Sequence, residues 1–124
     1  MDRKKIVKKL DKIFSEYIRA RDNYRCFTCG QVGSSADGIM QCGHLFSRVN
    51  YVTRWDEYNS NCQCRSCNMI HEYNPHIYTI AFIDEFGLEK YKELDFKHNQ
   101  SFKISTPDLI TMAEYYKQKL KELS

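Results

Sequence analysis

The chain has 124 residues, of which 42% are hydrophobic and 28% charged, and its formal net charge is +3 at pH 7. This is the composition of an ordinary soluble protein, and the length suits one domain over 1–124, with or without helical arms. No apolar run is long enough for a membrane span, and the first residues lack the apolar core of a signal peptide. We therefore expect a cytoplasmic protein with no membrane partner.

Residues 1–22 are predicted to form a basic amphipathic helix. Apolar residues recur every three or four positions in 3–22, which is the period of a helix with one buried face: Ile6, Val7, Leu10, Ile13, Phe14, Tyr17 and Ile18. We expect this face to pack on the domain or on a second subunit. The first twenty-five residues carry nine Lys and Arg against three acids before Asp22. This excess favours nucleic acid as a partner, although a solvated helix face would look the same.

The middle of the chain, 23–73, is predicted to be a metal-bound finger. It begins with a cysteine knuckle in 23–30 and a glycine- and serine-rich turn in 31–38. A short strand is expected in 39–46 and irregular structure in 47–58. A short helix should start within the second knuckle and end near Tyr73.

The remaining residues, 74–124, are predicted to be helical. Asn74 is expected to cap a helix with Pro75 at its first position and Gly87 as its stop. One or two further turns follow in 88–94. The sequence Ser105-Thr106-Pro107-Asp108 predicts the start of a terminal helix that continues through Leu120.

Two Cys-x-x-Cys pairs enclose the finger and predict a structural Zn²⁺ site, since zinc takes four thiolates tetrahedrally. The four predicted ligands are Cys26, Cys29, Cys64 and Cys67. The alternatives are buried thiols or a redox motif, but a cytoplasmic protein uses such pairs for metal before disulfides. Cys42 and Cys62 have no such partner and are interpreted as small core residues, although Cys62-x-Cys64 also has chelate-like spacing.

The order of strand, loop, strand and helix, closed at its base by zinc, describes a ββα finger. His44 would lie at the end of the first strand and Asn68 at the start of the helix. A neutral imidazole can deprotonate water near pH 7, and a divalent cation could stabilise charge on a phosphate. Asn59, five residues before Cys64, could hold the backbone turn or orient the histidine ring.

This order of Cys-x-x-Cys, His, Asn and Cys-x-x-Cys-Asn resembles the zinc-containing HNH (ββα-metal, His-Me) nucleases. The asparagine at position 68 resembles the H-N-N variant of phage endonuclease VII, a junction resolvase. Three segments are similar to the lambda NinG (Rap) recombination endonuclease family: Met40-Gln41-Cys42-Gly43-His44-Leu45-Phe46-Ser47-Arg48, Thr53-Arg54-Trp55-Asp56-Glu57 and Gln63-Cys64-Arg65-Ser66-Cys67-Asn68. The resemblance covers roughly residues 10–95.

The resemblance implies an α+β fold, a zinc-stapled ββα-metal finger flanked by N- and C-terminal helices. It implies that His44 is the general base, Asn68 a ligand of catalytic Mg²⁺ or Mn²⁺, and Asn59 the asparagine that positions the finger. The implied activity is hydrolysis of DNA phosphodiester bonds, selective for branched recombination intermediates, in a phage or prophage pathway.

One departure from the HNH pattern is Gly43, where an acid usually precedes the histidine as a metal ligand. Another donor must replace it, and we favour His71, one helical turn after Asn68. The other candidates are Glu72, Asp56 and Glu57.

Arg48 and Arg54 are predicted to clamp DNA phosphates through their guanidinium groups, or else to pair with Asp56 and Glu57. Because branched DNA has two-fold character, a homodimer formed through the end helices is also expected. Two other functions stay open: a zinc-dependent DNA-binding module that does not cleave, which Gly43 favours, and a structural zinc protein that binds another protein.

Overall fold

The computed structural model describes residues 2–124 and confirms a mixed α+β fold. This part of the chain forms six helices and one two-stranded sheet, in the order α1 (Arg3–Arg21), β1 (Met40–His44), α2 (Tyr51–Arg54), β2 (Ser60–Cys64), α3 (Arg65–Tyr73), α4 (His76–Phe86), α5 (Leu88–His98) and α6 (Thr106–Glu122). None of these helices has both the length and the apolar character needed to cross a membrane.

The two strands form an antiparallel hairpin whose register places Cys42 opposite Cys62 and His44 opposite Ser60. Helix α3 follows β2 without a linking residue, and the Sγ atom of Cys64 accepts a hydrogen bond from the amide of Cys67 at its N-terminus. The predicted helix within the second knuckle is therefore confirmed, ending at Tyr73. The hairpin and α3 together form the expected strand–strand–helix unit.

Helices α1 and α6 pack against each other and form the largest core. Its buried members are Ile6, Leu10, Phe14, Tyr17, Ile18, Trp55, Leu109, Ala113 and Tyr116. The predicted apolar stripe of α1 therefore packs on the domain itself. The buried apolar faces of both end helices are thus used within one chain, and the homodimer stays a prediction.

Another core forms where Leu45, directly after β1, packs against Tyr78 and Phe82 of α4 and Leu94 of α5. Gly87 separates these two helices at φ 93°, a left-handed conformation that favours glycine. Helix α5 reaches His98 and is longer than predicted. The predicted cap at Asn74 is wrong, because Asn74 ends α3 and Pro75 occupies the N-cap of α4 without a side-chain bond.

The segment 47–58, predicted to be irregular, contains the short helix α2. Asn50 caps this helix by accepting a hydrogen bond from the amide of Val52 at 2.9 Å. Val52 and Thr53 are buried against the rest of the fold. Tertiary packing therefore supports a helix that is too short to be stable alone.

Candidate active site and four-cysteine cluster

The two knuckles bring four thiols together at the base of the hairpin. The Sγ atoms of Cys26, Cys29, Cys64 and Cys67 all lie within 4.8 Å of one another. The Sγ atoms of Cys29 and Cys64 are 3.8 Å apart, and tetrahedral zinc with bonds of 2.3 Å requires about 3.8 Å between sulfurs. The donor set therefore fits a structural metal such as zinc.

Cys42 and Cys62 lie outside this cluster. Cys62 is fully buried, and Cys42 packs against the core formed by α1 and α6. Burial raises the pKa of both thiols to about 12. This environment confirms the interpretation that these two cysteines are core residues.

The knuckle loops favour ionised sulfur at Cys26. Burial opposes its ionisation, but a hydrogen bond from the Thr28 hydroxyl and others from backbone amides lower the pKa to about 6. Gly30 closes the first knuckle at φ 79°. Burial raises the pKa of Cys67 to about 12, but a thiol that binds a metal is deprotonated and releases its proton to solvent.

His44 is held in one tautomer at the end of β1. Its Nε2 atom lies 2.8 Å from the carbonyl oxygen of Arg54. Because a carbonyl only accepts, Nε2 must carry the hydrogen, which leaves the Nδ1 lone pair free on a neutral ring. Burial lowers the pKa of His44 below its usual value, and the charges of Arg48 and Arg54 lower it further. The ring is therefore a neutral base at pH 7.

Asn59 fastens the loop that follows β1. Its side chain is fully buried; Oδ1 accepts from the amide of Phe46 at 2.8 Å, while Nδ2 donates to the carbonyls of Phe46 and Thr53, both at 3.0 Å. Of the two roles expected for this amide, the structure shows the one that holds the backbone turn. The carbonyl that bonds His44 follows Thr53 directly in the chain, so Asn59 acts on the ring through the backbone.

His44 and Asn68 line one cavity of about 740 Å³, between β1 and α3. His71, Glu72 and Arg48 line it as well, and Glu72 contributes its sole carboxylate among the described residues. The Nδ2 atom of Asn68 donates to Oε1 of Gln41 at 2.9 Å. Within residues 2–124, the Oδ1 atom of Asn68 receives no hydrogen bond and is free to bind a ligand.

His71 supports the end of β1. Its Nε2 atom lies 2.8 Å from the carbonyl oxygen of Leu45 and therefore donates to it. The Nδ1 atom is buried and has no hydrogen-bond partner in the described part of the chain. The ring also lies 5.0 Å from that of Tyr78, between their centroids. Only the buried Nδ1 atom of His71 could bind a cation.

Gly43 is required by the side chain of Gln63. A Cβ atom added at Gly43 would lie 2.0 Å from Oε1 of Gln63 and 2.7 Å from its Cδ. Gln63 is fully buried, and its Nε2 donates to the Thr28 hydroxyl at 3.2 Å. Its Oε1 has no partner among the described residues. The amide of Gln63 thus occupies the space that any side chain at position 43 would need.

We expect Gly43→Ala to lower the free energy of unfolding by about 1–3 kcal/mol, because a buried side chain must move to admit the methyl group. The same change should cost much less in a Gln63→Ala background, where the obstructing amide is absent. Urea denaturation of both single variants and the double variant measures this coupling. Equal costs of Gly43→Ala in the two backgrounds would contradict the assigned contact.

Asp11 of α1, which sequence reasoning missed, organises the arginines beside His44. Its carboxylate accepts from Arg54 at 2.5 and 3.0 Å, from Arg48 at 3.1 Å and from the Trp55 indole at 3.0 Å. The alternative considered from the sequence, in which these arginines pair with Asp56 and Glu57, is wrong, because both pair with Asp11 instead. The Arg54 side chain is only 13% exposed and is held by its ion pair with Asp11. The Arg48 side chain is 58% exposed and can therefore reach a ligand.

Together these features define a small α+β protein built on a zinc-type cysteine cluster, with a histidine and an asparagine in an adjoining cavity. The family model described as "Bacteriophage Lambda NinG protein" matches residues 1–124. The chain therefore belongs to the NinG family of phage proteins.

Curated relatives are similar over most of this chain. The "Protein ninG" of Escherichia phage 933W is 28% identical over 119 residues, which cover 94% of this chain and 57% of the relative. The "Protein ninG" of Salmonella phage P22 is 27% identical over the same shares. The chain thus spans a little over half the length of these relatives. No solved structure matches it.

Proposed function

We propose that this protein is a metal-dependent DNA endonuclease of the HNH type, acting on branched recombination intermediates. The observation that carries the proposal is the fixed tautomer of His44, whose free Nδ1 belongs to a ring lining the same cavity as Asn68. The zinc-type cluster at the base of the hairpin and the family membership support it.

In this proposal His44 is the general base. Its Nδ1 takes a proton from water, the water oxygen bonds to phosphorus, and the bond from phosphorus to the leaving oxygen breaks. The leaving oxygen takes a proton from solvent. The Nε2–H bond to Arg54 keeps the ring oriented and would strengthen as the ring becomes cationic. Asn59 and Asp11 are positioning residues, since both fix the segment that carries this carbonyl.

The donors in the cavity suit a weakly held, hydrated cation. Oxygen atoms of Asn68 and Gln41 would hold Mg²⁺ or Mn²⁺, and Glu72 could contribute a carboxylate. His71, which we favoured from the sequence as a metal ligand, could coordinate the cation only through Nδ1, because its Nε2 bonds the Leu45 carbonyl. The cation would stabilise negative charge on the phosphate and the leaving oxygen. Arg48 would bind a neighbouring phosphate.

Cleavage should depend on pH through the ionisation of His44. Because the pKa of His44 is lowered, kcat/KM should rise with pH around a midpoint below the usual histidine value of 6.5 and level off above that midpoint. Arg48→Gln removes a cation that lowers this pKa, and the rise should therefore move to higher pH. A pH–rate profile of both proteins measures the shift. If the midpoint of the pH–rate profile were the same in both proteins, Arg48 would have no influence on the pKa of His44.

The experiment that tests the proposal measures cleavage of a fluorescent four-way junction and a matched linear duplex, each with and without Mg²⁺ or Mn²⁺. Cation-dependent cleavage that favours the junction is the expected result. Equal cleavage of both would reduce the function to a general nuclease. Tight binding without cleavage would establish the alternative, a zinc-dependent DNA-binding module, which the absence of an acid at Gly43 favours. Failure to bind DNA would favour a structural zinc protein.

A further inference from the structure

Helix α1 has two polar flanks that face different parts of the molecule. On one flank Asp11, Ser15 and Arg19 line a small cleft together with His44 and Arg48. On the other flank Lys9, Glu16 and Ala20 line a cleft against α6. The first flank is called the active-site flank below, and it consists of Lys4, Lys8, Asp11, Ser15 and Arg19.

Four of the five lysines of α1 divide between these flanks by the geometry of the helix, and the fifth, Lys12, lies between them. With 3.6 residues per turn, Lys4 and Lys8 fall within about 60° of Asp11, whereas Lys5 and Lys9 each lie about 100° further round. All four lysines are exposed. None of them forms an ion pair with another residue of 2–124. Their charges are therefore available to a partner.

The active-site flank is strongly positive. Asp11 is its one acid, and that carboxylate is already paired with Arg48 and Arg54. Lys4, Lys8 and Arg19 remain without a carboxylate partner along the same line. From Lys4 to Arg19 the helix advances about 22 Å, which equals about six nucleotide steps along one DNA strand.

We infer that the active-site flank of α1 is a binding track for the phosphate backbone of a DNA arm, leading the strand to His44. This inference rests on the proposed function and names the surface through which the substrate is held. Binding along such a track is electrostatic and independent of sequence, because lysine contacts to phosphate release condensed counterions. Selectivity for a branched structure would then come from the site to which the track leads.

The test uses two matched double variants of the full chain, Lys4→Gln with Lys8→Gln, and Lys5→Gln with Lys9→Gln. Each removes two exposed lysines spaced by four residues from the same helix. Affinity for a labelled four-way junction is measured by fluorescence anisotropy in EDTA at several salt concentrations, which separates binding from cleavage. Zinc content and thermal unfolding confirm that both variants are folded.

The Lys4/Lys8 variant should bind about 60-fold more weakly at 0.1 M salt, because each lost phosphate contact removes about 0.9 from the salt slope. The Lys5/Lys9 variant should bind within about threefold of the unchanged protein, since those lysines lie off the track. Equal losses in both variants, no loss in either, or no binding by the unchanged protein would overturn the inference. If the unchanged protein binds the junction along this flank but cleaves it with neither Mg²⁺ nor Mn²⁺, the proposed nuclease is refuted and the inferred binding track still stands.

Discussion

A His44→Ala protein should bind DNA and retain its zinc but cleave about 10²–10⁴-fold more slowly, the usual contribution of a general base. The imidazole lines the cavity and combines a free lone pair at Nδ1 with a pKa that burial holds below its usual value. Without it, water would have to lose its proton to solvent. Single-turnover cleavage of a four-way junction at saturating protein measures the rate of this step.

The matched control is His76→Ala, which removes an exposed histidine at the start of α4, away from the cavity. It should cleave at the wild-type rate. Junction binding in EDTA and zinc per chain should be the same in both variants and in the unchanged protein. If His44→Ala retained more than a tenth of the wild-type rate, His44 could not be the base.

Replacing Cys67 by alanine should abolish metal binding and unfold the hairpin and α3. Helix α3 has no fully buried residue, so the apolar cores contribute little to its position. Structural zinc contributes about 10–16 kcal/mol of apparent binding free energy, as much as the entire stability of a typical domain. Loss of one ligand should therefore leave the finger unfolded at 25 °C.

Zinc per chain, measured by mass spectrometry of the elements, and thermal unfolding by circular dichroism test this expectation. One zinc per chain is expected before the substitution and none after it. The control is Cys42→Ala, which removes a thiol outside the cluster and should keep the zinc with a small change in melting temperature. A Cys67→Ala protein with wild-type zinc content and stability would show that the cluster is not a metal site.

The sequence predicts those parts of the fold that depend on neighbours in the chain. The apolar period of α1 and the Ser105 cap of α6 are local signals, and both helices form close to the predicted bounds. The cap at Asn74 failed because α3 continues to Tyr73 and uses that asparagine as its own end. Helix α2 carries no periodic signal over its four residues, since its stability comes from packing.

The candidate site also contains some features that the local sequence predicts and others that depend on contacts between distant residues. The paired cysteines are predictable because two-residue spacing is itself the geometry of a chelate. Two other contacts have no local sequence signal. Asp11 pairs with Arg54 far along the chain, and Gln63 packs against Gly43 from the neighbouring strand. Charge alone likewise could not predict that Arg54 would be internal and Arg48 exposed.

The packing of α1 against α6 also has a consequence for the order in which the protein folds. Leu10 and Leu109 belong to the same core although nearly the whole chain lies between them. A protein of six helices would ordinarily fold fast through local contacts, but this core forms only when a very long loop closes. A metal bound by the two knuckles would draw the middle of the chain together and shorten that loop. We therefore expect a metal-loaded cluster to lower the entropic barrier to the pairing of α1 with α6.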